Sequence, residues 1–285
     1  MAAKFGPAGN SESFYATGKK STHQAPEWLN EIGLDAYEYQ CGQGVRGSAE
    51  AFAKVGEEAK KYGISLSLHA PYFISLSGTE EEKRLKSLDY ISQSLNAAEA
   101  MGADIIVIHT GSASKISRAE AVALAKDTMY RALSAFPDTK VAMGLETMGK
   151  LNQLGTLDEV LDICSIDKRL RPVVDFGHLN ARNVGGLFTD ADSYRRVFDE
   201  IDKRLGAEYA DTLHCHFSKI EYTSSGEKKH LTFEDNVYGP EFMPLAEAIA
   251  KDGYSPRIIC ESAGTQALDA LAMKNMYLSA KGNAQ

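Results

Sequence analysis

A short apolar run followed by an amphipathic stretch recurs eight times along the chain, and this alternation constrains the fold more than any other feature. The apolar runs fall at 4–8, 36–40, 64–69, 105–109, 141–146, 173–175, 212–216 and 257–261. The amphipathic stretches fall at 26–31, 49–62, 80–101, 118–136, 157–163, 190–205, 241–251 and 268–280. Within 80–101, Leu85, Leu88, Ile91, Leu95 and Ala98 recur at steps of three and four, which predicts a helix with one buried face. Met101-Gly102 supplies a glycine stop. Ile105-Ile106-Val107-Ile108 is apolar at every position, as suits a strand covered on both faces. Such alternation predicts a parallel sheet with helical crossovers, and eight units close into a (β/α)8 TIM barrel of the α/β class. An open doubly wound sheet would usually carry a glycine-rich phosphate loop after an early strand, and neither GxGxxG nor GKT/GKS occurs. No linker or low-complexity tract interrupts the pattern. Residues 1–285 are therefore expected to form a single domain, with 217–240 as an irregular excursion after the seventh strand.

Composition narrows the function classes. At 44% hydrophobic and 25% charged, the chain reads as globular rather than disordered. Its formal charge of −8 argues against nonspecific coating of nucleic acid, which rests on phosphate neutralisation, but leaves room for a local cationic or metal-lined groove. No apolar run reaches the roughly 18–20 residues of a membrane span, and Met1-Ala2-Ala3-Lys4-Phe5 lacks the apolar core of a signal peptide. The cysteines (Cys41, Cys164, Cys215, Cys260) form no CxxC pair and suit buried thiols in a reducing compartment. A cytoplasmic location is expected.

In a barrel, chemistry collects at the C-terminal ends of the strands. The third run ends in His69, the fourth in His109 and the fifth in Glu146. The sixth ends in Asp175, with His178 just beyond, the seventh carries His214 and His216, and the eighth ends in Glu261. Glu227 and His230 follow the seventh. A lone histidine after an apolar run is ordinarily a hydrogen-bonded structural residue, and a lone acid is often a loop cap. Six consecutive strands sending imidazoles or carboxylates to one rim are another matter. Histidine and carboxylate are ligands of zinc and manganese, and gathered carboxylates without cations would repel one another. The candidates outnumber what one ion needs and suffice for two or three. Of the seven histidines, only His23, ahead of the first helix, lies apart from this set.

In this order and spacing, the motifs His69-Ala-Pro-Tyr-Phe, Ile-His109-Thr-Gly, Leu-Glu146-Thr, Asp175-Phe-Gly-His178, His214-Cys-His216, Glu227-Lys-Lys-His230 and Cys-Glu261-Ser resemble endonuclease IV. This is the zinc-dependent apurinic/apyrimidinic endonuclease family of the xylose-isomerase-like barrels, and the resemblance covers essentially the whole chain. It implies two zincs sharing Glu146, the first completed by His69 and His109. The second would be completed by Asp175, Glu261 and a histidine of the seventh strand. A third zinc would take His178, His230 and Glu227, where the family has Asp–x–His and this chain has Glu–x–x–His. Period-2 alternation puts His214 and His216 on one inward face. Matching the family's His–Leu–Asn–Asp to His216-Phe217-Ser218-Lys219 makes His216 the ligand and His214 its partner, whereas matching through Tyr209 and Lys219 points to His214.

The resemblance also implies a partner, double-stranded DNA with abasic sites, and a monomeric enzyme. Tyr72 and Phe73 stand where the family inserts an aromatic–apolar pair into the duplex, and such wedges unstack base steps. Gln40, Gln43 and Arg46 stand where the family has a polar, arginine-containing loop. The implied reaction hydrolyses the phosphodiester 5′ to the abasic site, leaving a 3′-hydroxyl and a 5′-deoxyribose phosphate. Glu146, Asp175 and Glu261 are its catalytic carboxylates, and Glu261 orients a hydroxide set between two zincs. A sugar isomerase or epimerase of the same superfamily is the alternative. It would use one divalent ion at Glu146, Asp175, His216 and Glu261, with the two glutamates as an acid–base pair. A barrel that binds metal and ligand without turnover is a third possibility.

Overall fold

The apolar run at 105–108 is buried along its length and lies between two parallel neighbours, as its all-apolar composition requires. In the computed structural model, which describes residues 2–283, the whole sheet follows this plan. The strands are β1 (Lys4–Pro7), β2 (Ala36–Gln40), β3 (Ser65–His69), β4 (Ile105–His109), β5 (Ala142–Glu146), β6 (Leu170–Asp175) and β7 (His214–Phe217). The hairpin β8 (Ile220–Thr223) and β9 (Gly226–His230) comes next, and then β10 (Arg257–Cys260). The eight-stranded sheet runs β1-β10-β7-β6-β5-β4-β3-β2 with parallel pairing. Its ends meet at the seam of β1 and β2, where Ala8 bridges Glu38 and the Gly9 amide donates to the Glu38 carbonyl at 2.9 Å. Gly6 permits that approach: a Cβ there would lie 1.8 Å from the Ala36 carbonyl oxygen. The result is the expected (β/α)8 TIM barrel.

The outer helices match the predicted stretches to within a few residues: Ala25–Glu31, Ala49–Tyr62, Glu81–Met101, Arg118–Ala135, Leu157–Cys164, Ala191–Leu205, Met243–Asp252 and Gln266–Asn283. Glu81–Met101 ends on Gly102 in the left-handed conformation at φ 72°, the stop expected of Met101-Gly102. Ile91, Leu95 and Ala98 face the core, each Ile or Leu contributing about 1.5–3 kcal/mol by burial. Leu85 departs from the expected face and is 43% exposed. Arg84 is buried in that first turn instead, its guanidinium donating to the Gly78 carbonyl at 2.7 Å.

Two departures from the sequence reading bear on the site. The stretch 217–240, expected to be irregular, contains the β8–β9 hairpin. A short helix, Phe176–Arg182, starts directly from β6, with Asp175 as its N-cap. The large core lies between sheet and helices. Inside the barrel, Ile105, Val107 and Val173 form a separate small apolar cluster. Polar side chains occupy the rest of the interior toward the C-terminal strand ends.

Candidate metal centre

Above that apolar floor opens a cavity of about 600 Å³, lined by His69, His109, Glu146, His178, Glu227, His230 and Glu261 among others. Glu146, at the end of β5, is fully buried and stands at its centre. Its Oε2 lies 3.4 Å from His69 Nε2 and 3.2 Å from His109 Nε2. Its Oε1 lies 3.0 Å from His216 Nδ1. One carboxylate therefore joins two donor groups. His69, His109 and Glu146 each place a ligating atom within 4.8 Å of the others, and so do Glu146, Asp175, His216 and Glu261. A third group of the same kind joins His178, His230 and Glu261. Glu227 adjoins it, with Oε2 3.5 Å from His178 Nε2.

Backbone contacts aim the rings. His69 Nδ1 lies 2.9 Å from the Ala70 carbonyl and His178 Nδ1 lies 3.0 Å from the Thr147 carbonyl. Donation to a carbonyl puts the proton on Nδ1 and leaves Nε2 with its lone pair toward the cavity. Asp175 is fixed by its capping role: Oδ1 accepts from the His178 amide at 2.8 Å. Its Oδ2 is buried with no hydrogen-bond partner among the described residues. A buried, unsatisfied carboxylate oxygen is costly, and a cation among these donors removes that cost. The residues thus fit divalent ions of the zinc or manganese type.

Without ions, the acids and imidazoles hold one another. Burial opposes charge on Glu146, but the charge of His216 and the hydrogen bonds of His109, His178 and His216 bring its carboxyl well below the usual range. Burial likewise opposes protonation of His69, yet contact with Glu146 raises it to about 9. His178 and His216 are raised despite burial, by Asp175 and Glu38 respectively before other acids. Burial lowers His109, which Glu146 only partly offsets, and burial raises Glu261 against the pull of His216 and His230. The protons so held occupy the space between carboxylates and imidazoles, where cations would bind.

His69, His109, Glu146, Asp175, His178, His216, Glu227, His230 and Glu261 are thus brought together. His214 is not. It faces inward one layer deeper, with Nε2 2.9 Å from Glu38 Oε2 and its other nitrogen accepting from Arg257 Nε at 2.9 Å. Glu38, in the middle of β2, is a site residue that the sequence alone does not disclose, because it lies away from the strand ends. Tyr72 and Phe73 are about half exposed at the rim, at 52% and 50%. The Tyr72 ring stacks on His109 at 5.0 Å, while Phe73 leans on Tyr90 at 5.7 Å. Gln43 and Arg46 lie outside the main cavity. With Tyr72 and Gln40 they line an adjoining one of about 350 Å³.

Comparison with known proteins agrees with this architecture. An uncharacterized protein of Methanocaldococcus jannaschii is 30% identical over 243 residues, 84% of this chain and 86% of that protein. A probable endonuclease 4 of Acholeplasma laidlawii is 30% identical over 176 residues, 59% of each chain. Among solved structures, endonuclease IV from Thermus thermophilus superposes with a TM-score of 0.70 at 18% identity, covering 99% of this chain and 100% of that one. A D-tagatose 3-epimerase-like protein also scores 0.70, at 20% identity over 99% and 98% of the two chains. At such identities the two structures share the fold with this chain. The profile of one family matches residues 26–277. The chain belongs to the xylose isomerase-like TIM barrel family.

Proposed function

We propose that this protein is a zinc-dependent phosphodiester hydrolase that cleaves double-stranded DNA 5′ to abasic sites. The observation that carries the reading is the number and sharing of the donor groups: three adjoining sets, linked through Glu146 and Glu261. Such sets suit two or three ions, and phosphoryl transfer uses such clusters because charge develops on both the attacking and the leaving oxygen. Bound divalent ions supply Lewis acidity and lower the pKa of water. Glu146 would be shared between two of these ions, Asp175 would offer Oδ2, and His69, His109 and His216 would offer ring nitrogens. Glu261, which reaches the cavity from the end of β10, is the group placed to orient the attacking water and take its proton. His178, Glu227 and His230 make up the third group. The half-exposed Tyr72 and Phe73 suit a wedge beside an extruded abasic sugar, which has no base to unstack. Negative net charge is compatible with a DNA substrate because cations would make the groove locally positive. Four free, buried cysteines suit a cytoplasmic setting.

A duplex oligonucleotide with one tetrahydrofuran abasic analogue tests this directly. The analogue cannot undergo β-elimination, so cleavage 5′ to it must be hydrolysis. Intact duplex after incubation with zinc-loaded protein would overturn the reading.

A single-ion sugar epimerase is the second reading. It is favoured by the four-residue group Glu146, Asp175, His216 and Glu261, which alone could hold one ion. It leaves His69, His109, His178 and His230 without a role. One manganese per chain, measured by plasma emission on protein purified without chelators, would support it over the nuclease.

A further inference from the structure

We propose that Glu38, itself oriented by His214 and Arg257, is a positioning residue that decides which nitrogen of His216 faces the metal centre. The inference rests on His216 being a metal ligand.

The chain of donors fixes each step. Arg257, at the start of β10, donates Nε to His214 Nδ1 at 2.9 Å. Its remaining nitrogens are held by Ser65 Oγ at 2.8 Å, the Leu66 carbonyl at 3.1 Å and Asp104 Oδ1 at 2.6 Å. A guanidinium has no acceptor, so His214 Nδ1 must present a lone pair and its proton sits on Nε2. That Nε2 donates to Glu38 Oε2 at 2.9 Å, and Ser67 Oγ donates to the same oxygen at 2.9 Å. Gln40 Nε2 donates to Oε1 at 3.3 Å. Glu38 is fully buried among these donors.

Its Oε1 also lies 3.0 Å from His216 Nε2. The two atoms are close but poorly aligned, so Nε2 is buried without a well-directed hydrogen bond. At that distance a lone pair on Nε2 would face a carboxylate oxygen, and only a protonated Nε2 avoids the repulsion. Nδ1 faces carboxylates as closely, but these belong to the donor group of one ion, and a cation between them and Nδ1 makes Nδ1 the nitrogen left to ligate. It points at Glu146 Oε1, 3.0 Å away, and Glu261 Oε1, 3.5 Å away. A carboxylate behind a metal-binding imidazole fixes its tautomer and raises its basicity. Here that carboxylate is set from the opposite end of the barrel interior.

Glu38→Gln separates this role from simple burial. An amide has one acceptor end and one donor end. Because Arg257 keeps His214 as an Nε2 donor, the amide oxygen must turn to His214 and its NH2 to His216. His216 would then carry its proton on Nδ1, where it cannot ligate. Cobalt titration, followed by visible absorption, should show the second ion bound 10–100-fold more weakly, the range typical of lost outer partners. The first ion, at His69 and His109, should be unaffected. Adding His214→Gln frees the amide to rotate, and E38Q/H214Q should recover at least part of the lost affinity.

Long-range nitrogen–proton NMR of the imidazoles in the zinc-loaded wild type needs no variant. It should show His216 protonated at Nε2. A proton on Nδ1 instead would overturn the proposal, as would unchanged affinity and cobalt spectrum in E38Q, or a double variant no better than the single one. Wild-type protein that binds no divalent ion at all would overturn the metal reading and this inference with it.

Discussion

Glu227 and His230 stand three residues apart on β9 yet turn toward the same cavity, and Lys228 is the cause. In a regular strand, residues three apart point to opposite faces. Here Ile220 pairs with His230, Glu221 with Lys229 and Tyr222 with Glu227, so β9 spends one residue more than β8 over the same length. The extra residue is a β-bulge, which re-aims the side chains beyond it. The added spacer in Glu–x–x–His is thereby absorbed, and both side chains reach His178: Glu227 Oε2 at 3.5 Å and the His230 ring at 5.3 Å between centroids.

The bulge makes a sharp prediction about spacing. Deleting Lys228 alone restores a regular ladder with acid and histidine two apart, still on one face. Deleting Lys228 and Lys229 together makes them adjacent and opposed. Zinc content by plasma emission should be unchanged in the first variant and lower by one ion per chain in the second. Equal content in both would mean that Glu227 and His230 do not hold an ion together.

Close backbone packing holds the hairpin in place. The Glu227 amide donates to the Gly149 carbonyl at 3.1 Å. A Cβ on Gly149 would sit 2.6 Å from Glu227 Cβ and 3.1 Å from His178 Cδ2. Gly149→Ala should therefore displace Glu227, with a stability cost of about 1–3 kcal/mol from overpacking. Urea denaturation measures the cost, and a variant as stable as the parent would show that the hairpin yields freely.

Chelation should destabilise the fold. Ions that bind only the folded chain contribute about 2.7 kcal/mol at a hundred times their Kd, and their removal leaves Glu146, Asp175 and Glu261 facing one another. Treatment with a strong chelator should lower Tm by several degrees, and added zinc should restore it. An identical melting curve with and without chelator would argue against bound metal.

The chelated protein should also respond to pH in a definite direction. His69 is raised to about 9 in the fold, and His178 and His216 are raised as well. A group whose pKa is raised by folding stabilises fully below its unfolded value, near 6.5 for histidine, and loses that contribution as pH climbs through the folded value. Stability of the metal-free protein should therefore fall between pH 6.5 and about 9. His109 and His214 are lowered, so their contribution is present above 6.5 and is lost on acidification. Metal-loaded protein should be flatter over the alkaline window, because bound ions take the place of those protons. Tm measured across pH with and without zinc tests the contrast.

What the sequence revealed and what it hid follow from the same geometry. All eight barrel strands are legible from the alternation of short runs with amphipathic stretches, most clearly at β4, where every residue from Ile105 to Ile108 is apolar. Most boundaries lie within two residues of the sequence reading; β6 departs furthest, beginning at Leu170, three residues early, because Pro172 discourages a strand reading although it pairs there with Leu145. The hairpin was illegible because Glu227-Lys-Lys-His230 is polar and its bulge breaks the period of two. Strand ends exposed most of the candidate site, since that is where a barrel presents side chains. Glu38 escaped because it lies mid-strand, where an acid reads as an interruption. Only the tertiary placement of His214 and His216 against it discloses its partners. Period-2 alternation correctly put both histidines on one inward face, but it carries no depth, so it could not tell the cavity layer from the one beneath.

Contact with the candidate ligands separates the two equally exposed rim aromatics, and this gives the test that best divides a DNA substrate from a small sugar. Tyr72 stacks on His109 and shields His69, so its removal would disturb the candidate ligands as well as any bound strand. Phe73 is 50% exposed and pairs its ring with Tyr90 instead. Phe73→Ala should leave stability within about 0.5 kcal/mol of the parent, as exposed positions generally do, and should leave zinc content unchanged. If Phe73 wedges against bases, its loss should weaken abasic-duplex binding by about 1–3 kcal/mol, roughly five- to 150-fold. A ketose small enough for the 600 Å³ cavity would not reach it. Duplex affinity from fluorescence anisotropy, compared with turnover of a sugar panel, distinguishes the cases. Unaltered duplex affinity in Phe73→Ala would remove this residue from the interface and leave Tyr72 alone to serve as the wedge.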